Sequence, residues 1–468
     1  MSARGSTLVF ICILANSASC AETLTGAMRR AYGASPVLNA SRAQLRAIDE
    51  TVPQAQAGLR PRVSADAYIG AQRNRLITQQ RDVYLDDPTK TDHSKSIQSG
   101  ASAPRSAILS VEQPIFDGFR TQNQTRAAES GVFAGRERLR LTEQRVLFDA
   151  VSAYMNVLRD TAVLKLQENN VAVLAEQLRQ THERYLAGQI TLTDISQAEA
   201  RLAGGKSLAS AARATLDASI GVYRRTIGVG PTKLAPGAPI DRRLPKTREE
   251  AERIALGEHP FILAALHDAD AADLDIKALE AEFLPRLSIV GDIFTQTDFT
   301  GIGNRNIGAR VGGRLNVPLY EGGVTSSRVR QAKETAGQRR LDADVARAEV
   351  LALVRANWGA LQAAKTQIAS AQTQIAAAER ALYGVREEAK AGQRTTLDIL
   401  NAQQELLNAR IGLILAQRDR VIASYAVLAA IGRLSTRNLN LNATNYDPSL
   451  HFEQVKDLWG GAQTPSGR

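Results

Sequence analysis

The residues that most often do chemistry are scattered in this chain of 468 amino acids. His93, His182, His259, His267 and His451 show no metal-ligand spacing, and His182-Glu183 lacks the second histidine of a zinc-protease helix. No glycine-rich loop runs into Lys-Ser or Lys-Thr, and there is no Gly-x-Ser-x-Gly elbow. Gly308 to Gly313 falls inside an alternating strand pattern, which makes it a weak nucleotide signal. Both cysteines lie within the first 21 residues, so the rest of the chain has no disulfide, thiolate metal site or cysteine nucleophile. An enzyme is not expected, and neither is a cofactor or a bound metal.

What recurs is a turn. Gly188-Gln189-Ile190-Thr191-Leu192-Thr193-Asp194-Ile195 returns as Gly392-Gln393-Arg394-Thr395-Thr396-Leu397-Asp398-Ile399, displaced by 204 positions. Pro114-Ile115-Phe116-Asp117-Gly118 returns at the same offset as Pro318-Leu319-Tyr320-Glu321-Gly322. So long a period means one large unit written twice. In each turn the glycine can supply a positive φ and the aspartate can cap the following helix.

The elements that position these turns follow the same order in each copy. A helix is expected over Thr23 to Gln56 and again over Arg248 to Glu282, interrupted near its start by Gly33 and Pro36 or by Gly257 and Pro260. Pro61 and Pro285 end these helices and push the chain into extended geometry. Two strand-like runs come next. Val63, Ala65, Ala67 and Ile69 alternate with Ser64, Asp66, Tyr68 and Gly70, and Leu287, Ile289, Gly291 and Ile293 alternate with Ser288, Val290, Asp292 and Phe294. The return runs, ending at Pro114 and Pro318, also alternate, as strands with one apolar and one wet face do. The first copy carries twenty extra residues inside the polar stretch Arg73 to Arg105, which predicts a solvent-facing loop.

Proline-free segments then run from Thr121 to Leu186 and from Thr325 to Lys390. Each predicts a helix on the order of 100 Å long. Val157, Leu164, Val171, Leu178 and Tyr185 fall at heptad spacing, as do Leu361, Ile368, Ile375 and Leu382, predicting coiled-coil neighbours. A returning helix runs from each turn to Gly228 or Gly432. Domain boundaries are therefore expected at 22–228 and 248–433 for the two repeats, with 229–247 between them and a tail over 434–468.

Residues 1–21 read as an export signal: Arg4, an apolar run from Leu8 to Ala15, and a small-residue cleavage site at Ser19-Cys20-Ala21. The competing reading is a lipoprotein signal acylated at Cys20. No later stretch is long and apolar enough for a spanning helix; the best is Val421 to Ile431. The formal charge of +10 is dispersed among acids along helical faces, which argues against nucleic-acid binding. Four amphipathic strands cannot close a membrane barrel alone, because small closed barrels need about eight, so several chains would have to share one.

With the duplication, the two strand-to-helix junctions and the paired turns in this order, the chain resembles the TolC-like outer-membrane exit ducts of Gram-negative efflux pumps and type I secretion systems. The tail, with Tyr446-Asp447-Pro448, His451-Phe452 and Trp459, is similar to that of the secretion-type branch. The resemblance implies an α+β membrane-spanning duct: a homotrimer with a twelve-stranded β-barrel in the outer membrane and a tunnel of long coiled-coil helices in the periplasm. It implies a passive conduit that partners a periplasmic adaptor protein, an inner-membrane ABC or RND transporter and outer-membrane lipid. The inter-repeat segment and the tail would form a belt around the helices. Pro61, Pro114, Gly118, Pro285, Pro318 and Gly322 would be strand–helix junctions. Asp66, Glu112, Asp292, Arg310 and Arg314 would face the barrel lumen, where the arginines would bias it toward anions or simply balance the acids. At the periplasmic tips Thr193 and Asp194 would face Arg394, Asp398 would form an acidic ring and Asn401 would replace a second one, with Gly188 and Gly392 at the adaptor-docking turns. Ala389 stands where better-known members carry Tyr. Two other classes compete. A periplasmic adaptor has one coiled-coil hairpin rather than two, and a plain scaffold would not need strand pairs with wet and apolar faces.

Overall fold

The computed structural model describes residues 21–83, 89, 91–299, 303–442 and 446–465. The expected export signal, with Cys20, thus lies outside the described residues apart from Ala21. Three helices open the chain, α1 (Leu24–Ala34), α2 (Pro36–Asp49) and α3 (Thr51–Gln56), followed by a 3-10 turn at Ala57–Leu59. The one interrupted helix expected from sequence is therefore three segments. Strands β1 (Arg62–Ile69), β2 (Gln72–Val83), β3 (Thr91–Ser102) and β4 (Arg105–Phe116) lead into α4 (Arg120–Leu186) and α5 (Leu192–Ile227). The second copy supplies α6 (Arg248–Glu258), α7 (Pro260–Glu280), β5 (Arg286–Thr297), β6 (Arg305–Asn316), α8 (Val324–Lys390) and α9 (Thr396–Ala430); the tail adds α10 (Thr436–Leu439) and α11 (Pro448–Val455). Among the described residues no helix is long and apolar enough to cross a membrane.

The chain divides into two compact units. The first comprises residues up to Leu45, Arg136–Ala264 and Ala343–Asp447. It holds the coiled-coil seams. In α8, Leu361, Ala364, Ile368, Ala371, Ile375, Ala378, Leu382, Val385 and Ala389 alternate at three- and four-residue spacing and are all buried or half-buried. Leu382 and Ala389 pack with Ile399 and Leu406 of α9. Large residues alternate with alanine, so the backbones approach closely while the holes stay filled. The matching seam of α4 is not equivalent. It buries Asp160, Gln167 and Thr181 where α8 has Ala364, Ala371 and Val385.

The inter-repeat segment is held throughout this unit. Glu22 and Leu234 form a parallel bridge, and the Tyr154 hydroxyl reaches the carbonyls of Glu22 and Ala235 at 2.7 and 2.6 Å. Leu244 packs on Leu361 and Val427, and Arg420 donates to Asp241 at 2.8 Å. Burial removes water from both faces of the Tyr154 ring and pushes its hydroxyl up to about 12.

The second unit comprises Arg46–Gly135, Ala265–Asp342 and Pro448–Arg468. Its centre is an antiparallel sheet in the order β1-β4-β5-β6. Within the stretch Arg73 to Arg105, expected as a loop, the described residues up to Val83 and from Thr91 to Ser102 instead form the antiparallel pair β2–β3. Its register continues that of β1–β4 without a shift: Ile69 pairs with Arg105, the Gly70 amide donates to the Pro104 carbonyl at 3.0 Å, and Gln72 pairs with Ser102. The ladder satisfies the backbone groups that a loop would leave to water. From Pro448 onward the tail belongs to this second unit. There His451 Nδ1 lies 2.9 Å from the buried carboxylate of Asp49, and Arg60 stacks 5.1 Å above the Trp459 ring.

Candidate functional site: the strand sheet and the hairpin tips

Cross-strand partners share a sheet face. One face carries Ser64 and Asp66 of β1, Ser110 and Glu112 of β4, Asp292 of β5, and Arg310 and Arg314 of β6. All five residues expected to face a lumen therefore lie on one side of the sheet. Arg310 Nε and Asp292 Oδ2 are directly opposite at 2.6 Å, and the guanidinium leans over the Phe294 ring at 5.8 Å. The Arg310 side chain is 76% exposed although Asp292 is half-buried, and solvent at the guanidinium keeps such a pair to about 0–1 kcal/mol.

The other face is apolar. Val63, Ala65 and Ala67 on β1 line up with Val111, Leu109 and Ala107 on β4, then with Ile293 on β5 and with Ala309 and Val311 on β6. These side chains are not covered by the chain: Val63, Ile293, Ile307, Val311 and Leu315 are each at least 60% exposed. An apolar band of this extent marks a surface meant for lipid or another protein. The outer edges of β1 and β6 have no partner strand within the described chain.

Strands and long helices meet at the repeated junctions. Pro61 and Pro285 directly precede β1 and β5, while Pro318 follows β6. At Pro114 to Phe116 the β4–β5 register slips. Gly118 adopts φ 71° and Gly322 φ 63°. Asp117 Oδ2 accepts the Thr121 amide at 2.8 Å, and Glu321 accepts the Thr325 hydroxyl, so the acid of each repeated motif fastens the first turn of a long helix. Sequence reasoning missed Glu282. This nearly buried carboxylate lies 3.5 Å from Arg120 and 3.6 Å from Arg328, one at the start of each long helix. The only sequence signal was an acid just before the Phe283-Leu284-Pro285 junction.

Each tip is built by the same local chemistry. Gly188 and Gly392 take φ 72° and 80°, and the amides of Gln189 and Gln393 donate back to Arg184 and Glu388 carbonyls at 3.0 and 2.9 Å. This left-handed close satisfies carbonyls at the end of α4 and α8. A capping box follows. The amides of Thr191 and Thr395 donate to Asp194 and Asp398 Oδ2, both at 3.0 Å. Donation from the Thr395 amide and hydroxyl, with Arg394 nearby, holds the Asp398 carboxyl below the usual carboxylate range.

The expected pairing of Thr193 and Asp194 with Arg394 does not occur within the chain. Arg394 Nε instead donates to Glu388 Oε2 at 2.8 Å in its own hairpin, because the tight turn folds it back over the last turn of α8. One link between hairpins is Arg201 of α5, whose Nη2 donates to Asn401 Oδ1 of α9 at 2.7 Å, and another is Arg418 of α9, which donates to Asn156 Oδ1 of α4. Thr193 is exposed in the first turn of α5.

A family profile described as "Outer membrane efflux protein" matches residues 27–225 and 253–433, two blocks that follow the two repeats. The outer membrane efflux protein BepC of Brucella suis biovar 1 is 38% identical over 97% of this chain and 95% of its own. The alkaline protease secretion protein AprF of Pseudomonas aeruginosa is 27% identical over 73% of this chain and 72% of its own. In fold, the crystal structure of the Campylobacter jejuni CmeC outer membrane channel superposes with a TM-score of 0.73, at 16% identity over 93% of this chain and 89% of that one. Twin family blocks exclude the single-hairpin adaptor. The chain belongs to the outer membrane efflux protein family and is an outer-membrane exit channel of the efflux and type I secretion class, a passive conduit and not an enzyme.

Proposed function

We propose that three copies of this chain complete one conduit. The observation that carries the reading is a four-stranded sheet with one exposed apolar face, one charged face and two unpaired edges. Unpaired edges are prohibitively costly in lipid. Joining β1 of one protomer to β6 of the next removes them, and three sheets give a twelve-stranded barrel with Asp66, Glu112, Asp292, Arg310 and Arg314 toward the lumen. The long helices then line a periplasmic passage, and residues 22–228 and 248–433 act as two pseudo-equivalent staves.

The tips are the proposed gate and adaptor-docking surface. Gly188 and Gly392 present the turns to an adaptor protein, while an inner-membrane ABC or RND transporter supplies cargo and energy. Asp194 and Asp398 use one oxygen in their capping boxes, which leaves the second for a neighbouring coil. Thr193, Arg394 and Asn401 stand beside them, and the Arg201–Asn401 bond ties the two hairpins of one protomer. Weak exposed contacts of this kind, repeated around a trimer, hold a closed state that adaptor binding can undo.

The test is single-channel recording in planar bilayers. Alanine at Asp194 and Arg394 together should raise conductance several-fold over the wild type. Alanine at Arg201 should raise it too, by freeing Asn401. Unchanged conductance in both variants would remove the gate from the tips.

A further inference from the structure

The unbroken register between β1–β4 and β2–β3 has a consequence for what the hairpin faces. Because pairing continues through Gly70 and Pro104 without a slip, odd-numbered residues stay on one side of the ladder from Val63 to Gln79 and from Lys95 to Val111. That side is the apolar face in β1 and β4. Beyond the band it becomes cationic. The last rung of the four-stranded sheet sets Arg105 and Arg305 on either side of Thr297; past Ala71 the odd positions of β2 bring Arg73 and Arg75, and further out Lys95 pairs with Gln79. All five cations are exposed.

The segregation is strict among the described residues. On this face the strands carry no Asp or Glu, and no carboxylate pairs with any of the five cations. The strand acids Asp66, Glu112 and Asp292, and by register Asp82 and Asp92, all fall at even positions, on the opposite face. The hairpin's even side carries no cation: Gln72, Asn74 and Thr78 are set against Ser102, Gly100 and Ser96, and further out Asp82 pairs with Asp92. Ile77 and Ile97 pair within the cationic side and are about half exposed, at 47% and 48%.

All four strands of the sheet join their helices at the rungs bearing Arg62, Phe116, Arg286 and Asn316, so the hairpin projects from the other end. In an outer-membrane duct with periplasmic helices, that end faces the cell exterior. We propose that Arg73, Arg75, Lys95, Arg105 and Arg305 form a collar that binds the phosphorylated saccharide headgroups of the outer-leaflet glycolipid, with Ile77 and Ile97 resting between those headgroups. The proposal rests on the membrane placement of the apolar band. Continuity with that band argues for lipid rather than a soluble anion: any group meeting the collar from the side must sit directly above the acyl chains. Charge complementarity supplies the rest, since basic side chains near an anionic membrane surface each attract it and the attraction is screened by salt.

The experiment uses the full mature channel in detergent, titrated with diphosphorylated lipid A or with enzymatically dephosphorylated lipid A. The variant replaces all five cations with glutamine, and its fold is checked by bilayer conductance. The wild type should bind the diphosphorylated form roughly tenfold or more tightly than the dephosphorylated one, with the preference shrinking as salt rises. The glutamine variant should conduct normally yet show no preference. Equal binding of the two lipids by the wild type, or an unchanged preference in the variant, would overturn the collar. Loss of conductance in the wild type itself would instead strike the channel reading, so the two failures are distinguishable. Should the glutamine variant not insert, Arg73→Gln with Arg75→Gln alone, both outside the band, should still lower the preference.

Discussion

A Cβ at position 118 would lie 2.8 Å from both the Ala281 carbonyl and the Leu284 Cβ, at a φ of 71°. Its repeat partner Gly322 has the same sign of φ but open space around it. Alanine at 118 should therefore cost about 2–4 kcal/mol, from backbone strain plus overpacking. Alanine at 322 should cost only about 1–2 kcal/mol from strain. Thermal denaturation of the two variants side by side checks this, and equal losses would refute the packing argument. His259 gives a pH signature. Burial drives its imidazole down to about 4 from 6.5, and Arg140 adds to the effect. A group with a depressed folded-state value stays neutral in the fold while the unfolded chain protonates. Stability should thus be full above about pH 6.5 and fall as pH drops toward 4, by up to about 3 kcal/mol. Melting curves at pH 7.5 and 5 should separate more in the wild type than in His259→Gln.

The two hairpins are written alike but packed differently. The α8 seam is Ala364, Ala371 and Val385 between larger apolar residues, whereas α4 buries Asp160, Gln167 and Thr181 at those positions. Asp160 has partners in Arg159 and the Ser219 hydroxyl, yet Gln167 Oε1 is buried without one. A buried acceptor left unmade costs about 1–3 kcal/mol. Gln167→Leu should accordingly slow amide hydrogen exchange in α4 and α5 by several-fold, and Ala371→Gln should speed it in α8 and α9. The reverse ranking would contradict the seam assignment. The long helices were legible because a proline-free heptad states its own length; Thr121 to Leu186 and Thr325 to Lys390 match α4 and α8 within a residue of each boundary. The β2–β3 hairpin was not, since alternation announces a strand only when one face leaves water, and this hairpin is wet on both. The tips were half legible. Glycine and aspartate gave the left-handed close and the capping box. Arg394, by contrast, chose Glu388 over the other hairpin, a matter of side-chain reach that spacing does not encode. Glu282 was hidden for the same reason, its two arginines lying far away in sequence.

For the whole molecule, the decisive feature is a surface that one chain cannot bury. Val311 is 81% exposed in the middle of the apolar face. Arginine there should impair outer-membrane insertion, at a cost of about 2–4 kcal/mol per copy near the bilayer centre. At Gly312, one position along on the wet face, it should be tolerated. Fractionated membranes would read the difference. The account as a whole requires that each protomer complete its neighbours' sheets. Native mass spectrometry of the detergent-extracted protein tests this most directly. Three copies per particle, falling out of solution when detergent is withdrawn, is the predicted result. A single chain that remains soluble and folded without detergent would contradict it.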